Sequence, residues 1–402
     1  MPKAPPTILQ IIPRLDAGGA ELSVIEMTEA VVRAGGRMIV LAEPGRLAPR
    51  VAAAGGEVVA FPADSKNPAQ MLLNARAIAR LAANRGVRLI HARSRAPAWS
   101  AFIAARYAGI PFVTTYHGAY SEPNAAKRFY NSVMARGDIV IANSRYTANL
   151  IAARYGTPAD RTVVVHRGVD VAVFDPEAVE RHRPVELRER WGVDPDDRLI
   201  LQAARLTSWK GQSVLIDAAA RLAGRGQFAS TVVVLAGDAQ GRDGYVETLR
   251  SQIAGYRLER CVRIIGHVDD MAAGYLAADA TVIASTEPEA FGRTAVEAAA
   301  MGCPVIATAI GAPPETVLAE PTTPKEAITG WLVPPNDPDA LADRLAQALS
   351  LTLSERVEMG GRARRHAMAN FTVKAMQRRT LAVYDKLLSA GLEKQFIAGT
   401  PR

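Results

Sequence analysis

Short apolar runs alternate with longer amphipathic stretches along almost the whole chain. Ile8–Ile12, Met38–Leu41, Val87–His91, Phe112–Thr115, Ile139–Ala142 and Val163–His166 read as buried strands. Between them, Ala20–Ala34, Ala69–Asn84 and Pro97–Ala108 carry helical spacing. The rhythm then restarts with Leu199–Ala203, Thr231–Ala236, Val262–Gly266, Ala280–Ala284 and Pro304–Ala307 as strands. Lys210–Ala223, Tyr245–Ala254, Gly292–Met301 and Pro338–Leu349 are the helices of this second set. Continuous apolar strands, rather than alternating ones, imply parallel sheets covered on both faces by helices.

The two sets are divided by Phe174 to Arg198, which is crowded with charge, contains Pro176, Pro184 and Pro195, and lacks apolar strands. It reads as a linker and a short helix, Pro184–Trp191. Two doubly wound α/β domains follow, residues 1–178 and 179–370. Ligands of such sheets bind beyond the carboxyl ends of the strands, and a cleft between two such domains is the expected site. Apolar residues at 49% and charged residues at 22% provide for substantial cores and argue against general disorder. Two cysteines, Cys261 and Cys303, leave no disulfide framework or cysteine-rich zinc site; both are expected as buried, reduced thiols. The N-terminal apolar run stops at Pro13-Arg14, unlike a secretory signal, and no stretch is long enough to span a bilayer.

Candidate chemistry clusters after strands. Asp16-Ala17-Gly18-Gly19-Ala20-Glu21 is a glycine turn opening the first helix. It is either a plain tight turn or a place where backbone meets an anion; it is not the dinucleotide fingerprint. Arg205 and Lys210 bracket the turn after the first strand of the second set. They are either solvated cations or two groups that converge on one phosphate. Glu289 lies in the loop after Ala280–Ala284, and Glu297 lies eight residues on, in a helix whose surroundings, Thr294–Met301, are small and apolar. A loop carboxylate accepts from sugar hydroxyls, and a helix carboxylate binds a second polyol such as ribose. Gly292 lets backbone N–H groups at the helix start approach a phosphate. His117-Gly118, Gly237-Asp238 and Gly266-His267-Val268 each follow a strand, and His117 reads as structural or as catalytic.

In this order, these motifs resemble the retaining glycosyltransferases of family 4, with the GT-B fold, over nearly the whole chain. The tail Phe371–Leu388 is similar to the family's final helix, so residues 371–402 are expected to pack back on the first domain. The resemblance implies catalytic roles for Arg205, Lys210, Glu289 and His117. Arg205 and Lys210 would hold the donor diphosphate, and His117 would lie beside the transferred sugar. Glu289, with the backbone of Ala290, Phe291 and Gly292, would hold the sugar hydroxyls, and Glu297 the ribose. Gly18 and Gly19 would close over the diphosphate, while Gly237, Asp238 and His267 would border the nucleotide. It implies no metal and no cofactor, the nucleotide-diphosphate sugar (UDP or GDP) being a substrate. It also implies a same-face mechanism that retains the anomeric configuration. Two departures stand out. Arg167 precedes Gly168-Val169-Asp170 where relatives carry asparagine, and reads either as a contact to the acceptor or leaving group or, preferably, as a plain surface arginine; Ala239 replaces a glycine after Asp238.

Charge bears on the acceptor. The net +8 is unevenly spread: residues 1–180 hold 21 Lys and Arg against 14 Asp and Glu, leaving +1 for the rest. The expected acceptor or membrane surface is Tyr120–Arg136, where Lys127, Arg128 and Arg136 mix with Tyr120, Phe129, Tyr130 and Met134, as a basic helix on an anionic membrane. This run also resembles transferases of envelope polysaccharide, especially the lipopolysaccharide core. The resulting expectation is a cytoplasmic enzyme, peripheral on the inner face of the membrane, acting on an anionic glycan or glycolipid. The alternatives are a soluble acceptor, a nucleotide-sugar 2-epimerase on the same fold, and a non-catalytic sugar-nucleotide sensor. Nucleic acid is disfavoured by scattered basic residues and 6% aromatics.

Overall fold

The computed structural model describes residues 5–16 and 18–399; Ala17, in the first glycine turn, and the end of the tail lie outside them. The chain divides into two compact units, 1–166 with 373–402, and 167–372.

The first unit holds seven strands: β1 (Thr7–Arg14), β2 (Arg37–Glu43), β3 (Glu57–Ala60), β4 (Val87–Ala92), β5 (Phe112–Tyr116), β6 (Ile139–Ala142) and β7 (Thr162–Val164). They lie in the order β3-β2-β1-β4-β5-β6-β7, with every pairing parallel. β5 and β6 are buried throughout, and β2 is buried between its two exposed ends, which is why their sequences read as unbroken apolar runs. One face is covered by helices Gly19–Arg33, Val373–Leu388 and Leu392–Ala398, the other by helices Pro68–Arg85 and Arg95–Ala108. Helix Pro68–Arg85 has explicit punctuation. Asn67 caps it by accepting from the N–H of Ala69 at 2.9 Å, Pro68 begins it, and Gly86 ends it at φ +62°.

The returning C-terminal helix is tied to the sheet by polar groups as well as apolar ones. His91, fully buried on β4, has Nδ1 2.7 Å from the Tyr384 hydroxyl and Nε2 2.7 Å from Thr115 Oγ1. A neutral imidazole meets both, donating at one nitrogen and accepting at the other. Burial holds the His91 pKa well below the usual imidazole value and pushes that of Tyr384 up to about 12. Arg93, also buried, donates from Nε to Gln10 Oε1.

The second unit holds β8 (Arg198–Ala203), β9 (Thr231–Ala236), β10 (Val262–Gly266), β11 (Ala280–Ile283), β12 (Val305–Thr308) and β13 (Gly330–Val333). They form a second parallel sheet, β10-β9-β8-β11-β12-β13, again between two helical layers. The strand order reverses between β1 and β4 in the first sheet and between β8 and β11 in the second. Those two reversals are where such folds bind ligands.

Four expectations need correction. The boundary expected after residue 178 falls at 166/167, because Val169 forms a bridge with Thr372 and Phe174 packs on Tyr275, both within the second unit. The tail joins the first unit from Val373 rather than from 371. Arg167 is buried, not a surface arginine. Of the cysteines only Cys303 is fully buried, its thiol pushed up to about 12 by that burial; Cys261 is half-buried. Among the described residues no helix is long and apolar enough to cross a membrane.

Candidate active site

The second sheet's reversal point brings together residues that are far apart in sequence. The loop after β8 carries Arg205 and Lys210, and the loop after β11 carries Ser285 and Glu289. Glycines let these loops touch. A Cβ on Gly211 would lie 1.8 Å from the Ala284 carbonyl oxygen, so only glycine allows Lys210 to sit against the end of β11. Thr286 N donates to Trp209 O at 2.8 Å, and Gln202 Nε2 to Lys210 O at 2.7 Å, fixing the backbone on both sides.

Lys210 Nζ ion-pairs with Glu289 Oε1 across 79 residues of sequence, and lies 4.2 Å from the Trp209 ring centroid. Ser285 Oγ donates to the same Glu289 oxygen at 2.6 Å. Thr308 Oγ1 in turn donates to Ser285 O at 2.8 Å. Glu289 is only 8% exposed, and its backbone pairs with the stretch around Gly311, where a Cβ would lie 2.3 Å from Glu289 O. The carboxylate is therefore placed by strand-like pairing below and by a cation and a hydroxyl above. A buried carboxylate needs such partners.

Arg205 points elsewhere. It is exposed, and its Nη1 is 3.5 Å from Gln240 Oε1 in the loop after β9. The two cations thus flank the reversal point without converging on one spot in this structure. Glu297 is not a lone acid on an apolar face. It accepts from Arg293 Nε at 3.2 Å, one turn earlier, and from the Tyr275 hydroxyl at 3.3 Å. Gly292, at φ +78°, caps helix Arg293–Ala300. The Phe291 ring is buried, 5.8 Å from that of Phe371, so only its backbone is available to a ligand; Ala290 is half-buried beside it.

The residues expected to border the nucleotide have structural duties of their own. Gly237 is dictated by packing, since a Cβ there would lie 1.8 Å from the Ala204 carbonyl oxygen. Asp238 Oδ1 accepts from Gln240 N at 2.8 Å, turning the loop that carries Arg205's partner. His267 is exposed and lies 3.1 Å from Asp269 Oδ1.

In the first unit, Gly18 caps helix Gly19–Arg33 at φ +132°, and a Cβ there would meet the Glu21 carboxylate at 2.6 Å. The acid beside this helix N-terminus is the chain's own Glu21, which complements the helix dipole. His117 follows β5 and is half-buried, its carbonyl accepting from Asn143 Nδ2 at 3.4 Å. The expected basic helix over Tyr120–Arg136 is much shorter, Ala125–Asn131, followed by a 3-10 turn. Met134 is fully buried, Tyr120 packs 4.5 Å from Tyr116, and Arg136 lies over the Trp99 and Phe129 rings at 5.2 and 5.4 Å. Arg128 donates to Arg154 O, and Lys127 lies 5.3 Å from the Tyr130 ring. Of the aromatics there, only Phe129 is substantially exposed, at 60%. Asn124 starts the helix late, its side chain capping the N-terminus by accepting from Lys127 N, and the short apolar stretch after Asn131 turns inward.

Sequence reasoning did not find Ser285, Tyr275, Arg293, Gln240 or Trp209. Ser285 had one local signal: a small hydroxyl residue directly after a fully apolar strand. The others act across long sequence separations or on neighbouring turns, and nothing in the linear pattern marks them.

Residues 185–366 match the family model described as glycosyl transferases group 1, and residues 17–173 the one described as glycosyltransferase family 4. The D-inositol 3-phosphate glycosyltransferase of Xylanimonas cellulosilytica is 30% identical over 366 residues, 83% of this chain and 84% of that protein. A crystal structure of a glycosyltransferase from Rickettsia africae ESF-5 is 33% identical, with a TM-score of 0.86 over 96% of this chain and 99% of that one. Anabaena Alr3699/HepE, crystallised with UDP-glucose, is 26% identical, with a TM-score of 0.79 over 94% and 99%. With both halves matched, both sheets doubly wound and relatives at this identity over most of their length, the chain belongs to the family 4 glycosyltransferases of GT-B fold.

Proposed function

We propose that this glycosyltransferase moves a hexose-type sugar from a UDP-sugar to an anionic acceptor, with retention at the anomeric carbon. The observation that carries the donor half is the Lys210–Glu289–Ser285 cluster at the second sheet's reversal point, with Arg205 beside it. Lys210 and Arg205 neutralise the diphosphate as it leaves, which is electrostatic stabilisation by prepositioned charge. Lys210 is held by Glu289, so diphosphate and sugar are read by one coupled pair: the cation takes phosphate while the carboxylate takes sugar hydroxyls. The backbone of Ala290, Phe291 and Gly292 assists Glu289. Glu297, oriented by Arg293 and Tyr275, takes the ribose hydroxyls. Gly237, Asp238 and His267 border the nucleotide. UDP is favoured over GDP by the UDP-glucose bound to the Anabaena neighbour.

On the acceptor half, the first unit offers Gly18, Gly19 and His117 at the carboxyl edge of its sheet. The leaving phosphate takes the acceptor hydroxyl's proton on the face it departs from, so no separate base and no metal or cofactor is required. The basic excess of this unit supports an anionic acceptor. A membrane glycolipid of envelope polysaccharide synthesis, used at the cytoplasmic face, is the reading preferred here. A soluble phosphorylated polyol is the second reading, supported by the name of the Xylanimonas relative.

The test is a thermal-shift series with UDP-, GDP- and ADP-sugars, followed by turnover. A UDP-sugar raises the midpoint through preferential binding to the folded state, and Glu289→Gln abolishes transfer while folding normally. No shift with any sugar nucleotide overturns the donor assignment. An inverted product anomer by NMR overturns retention, and an epimer formed from UDP-sugar alone selects the epimerase instead.

A further inference from the structure

On the outer face of the first unit, helices Pro68–Arg85 and Arg95–Ala108 leave an open groove of about 860 Å³. Its size lies within the range of small-molecule pockets. Its floor is small and apolar, including Ala79, Ala82, Ile103 and Ile110. Its lips are unusual for a soluble surface. Leu72 is 53% exposed and Tyr107 87%, with Leu73 at 55% next to Leu72. Leu72, Arg76, Arg80 and Ala83 follow helical spacing, so they form one stripe along one lip. Arg76 and Arg80 are exposed, and among the described residues no ion pair joins either to a carboxylate. The wider setting is equally one-sided. From Ser65 to Ser121 the chain has eight lysines and arginines and not one aspartate or glutamate.

From these observations we infer that this groove is a docking surface for an anionic phospholipid membrane, with one acyl chain lying along its apolar floor. Apolar side chains displayed next to unpaired arginines match the layout of a bilayer surface, with acyl chains just beneath anionic headgroups. Leu72, Leu73 and Tyr107 enter the interfacial zone. Arg76 and Arg80 stay at headgroup level, their stems covering apolar surface as their guanidiniums remain in water. A second copy of the chain fits worse. A two-fold contact sets the same patch against itself, arginine facing arginine. The surface Tyr120–Arg136 offers a membrane less apolar area, since of its aromatics Phe129 is the one substantially exposed. The inference rests on the peripheral-membrane part of the proposed function and is independent of the donor assignment.

The experiment is co-sedimentation of the full chain with vesicles of phosphatidylcholine alone or with added phosphatidylglycerol. The wild type is expected to pellet with the anionic vesicles and stay in solution with the neutral ones. Each basic residue near an anionic surface strengthens binding about fivefold, so Arg76→Glu with Arg80→Glu should weaken it at least tenfold. Leu72→Ser with Leu73→Ser should remove the part of the binding that survives high salt. Lys127→Glu with Arg128→Glu should weaken it less than threefold. All are surface changes, and unchanged melting temperatures establish that the variants fold. Wild-type protein that ignores anionic vesicles overturns the inference, as does wild-type affinity in the Arg76/Arg80 variant. A dimer in sedimentation velocity that Leu72→Ser with Leu73→Ser dissolves assigns the groove to a second copy and also overturns it. The thermal-shift response to UDP-sugars reports the donor site separately, so failure of one reading leaves the other measurement intact.

Discussion

The first unit carries 26 Lys and Arg against 12 Asp and Glu, a net +14; the second carries 22 against 28, a net −6. Both are parallel sheets between helical layers, with a strand-order reversal at the carboxyl edge. They differ in how charge is used. The second unit is negative overall, yet it is the one proposed to bind a nucleotide diphosphate. On that proposal the binding falls to two positioned cations, one exposed beside Gln240 and one half-buried against Glu289. The first unit spreads a large excess over its surface, where it acts at long range on whatever approaches. Local placement makes a site, whereas net charge selects a neighbourhood. The split at residue 180 understated this contrast, because the basic tail belongs to the first unit and the acidic segment after residue 166 to the second.

The comparison is broken most severely by removing a placed charge. Lys210→Ala should lower turnover about 10²–10³-fold, the usual effect of losing one prepositioned electrostatic group. Charge removal at Lys127, in the unit with charge to spare, should change it less than threefold. Equal effects in a sugar-transfer assay would mean that placement does not matter. Next in size is the contrast between two glycines. Gly211→Ala drives a methyl group into the Ala284 carbonyl in the second unit, at φ +69°. Gly86→Ala in the first unit meets nothing within 4 Å, at φ +62°. The first should cost about 2–4 kcal/mol, from overpacking added to left-handed strain, and the second about 1. Chemical denaturation followed by hydrogen exchange resolves the units, and equal losses would show that the close approach relaxes freely.

The smallest effect concerns pH and the first unit. His91 is held neutral in the folded state, with its pKa well below the unfolded value near 6.5. Its contribution is complete above that value and is lost as pH falls below it, by at most about 1.4 kcal/mol per pH unit. Replacing it with glutamine should flatten the acid limb of the first unit's stability without moving the second's. A wild-type acid limb in His91→Gln would place the sensitivity elsewhere.

Periodicity made the fold legible because a buried parallel strand must be continuously apolar. The two strands that escaped have specific reasons. β3 is an edge strand of three half-buried residues and one exposed, so it lacks a buried apolar run. β13 is an edge strand of four residues that starts at Gly330, where a Cβ would lie 2.2 Å from Val305 O, and ends before Pro334, so its apolar run is only three residues long. The candidate site was half legible. Lys210, Arg205 and Glu289 stood out as charges in glycine-rich loops after strands. Their grouping did not, because Lys210 and Glu289 meet only when β8 and β11 pair. Glu297 seemed solitary because Tyr275, its hydroxyl partner, belongs to another helix.

The sequence alone determined the architecture, the family and the residue types that carry charge into the loops, since periodicity, turn glycines and loop cations are local properties. Tertiary structure decided the rest. It set the boundary at residue 166, paired Lys210 with Glu289 and Ser285, and turned the aromatics of Tyr120–Arg136 inward. It also left Leu72 and Tyr107 outside, in the same groove as the exposed Arg76 and Arg80. Each of these depends on which distant segments share a surface, and a one-dimensional pattern carries no direct record of that.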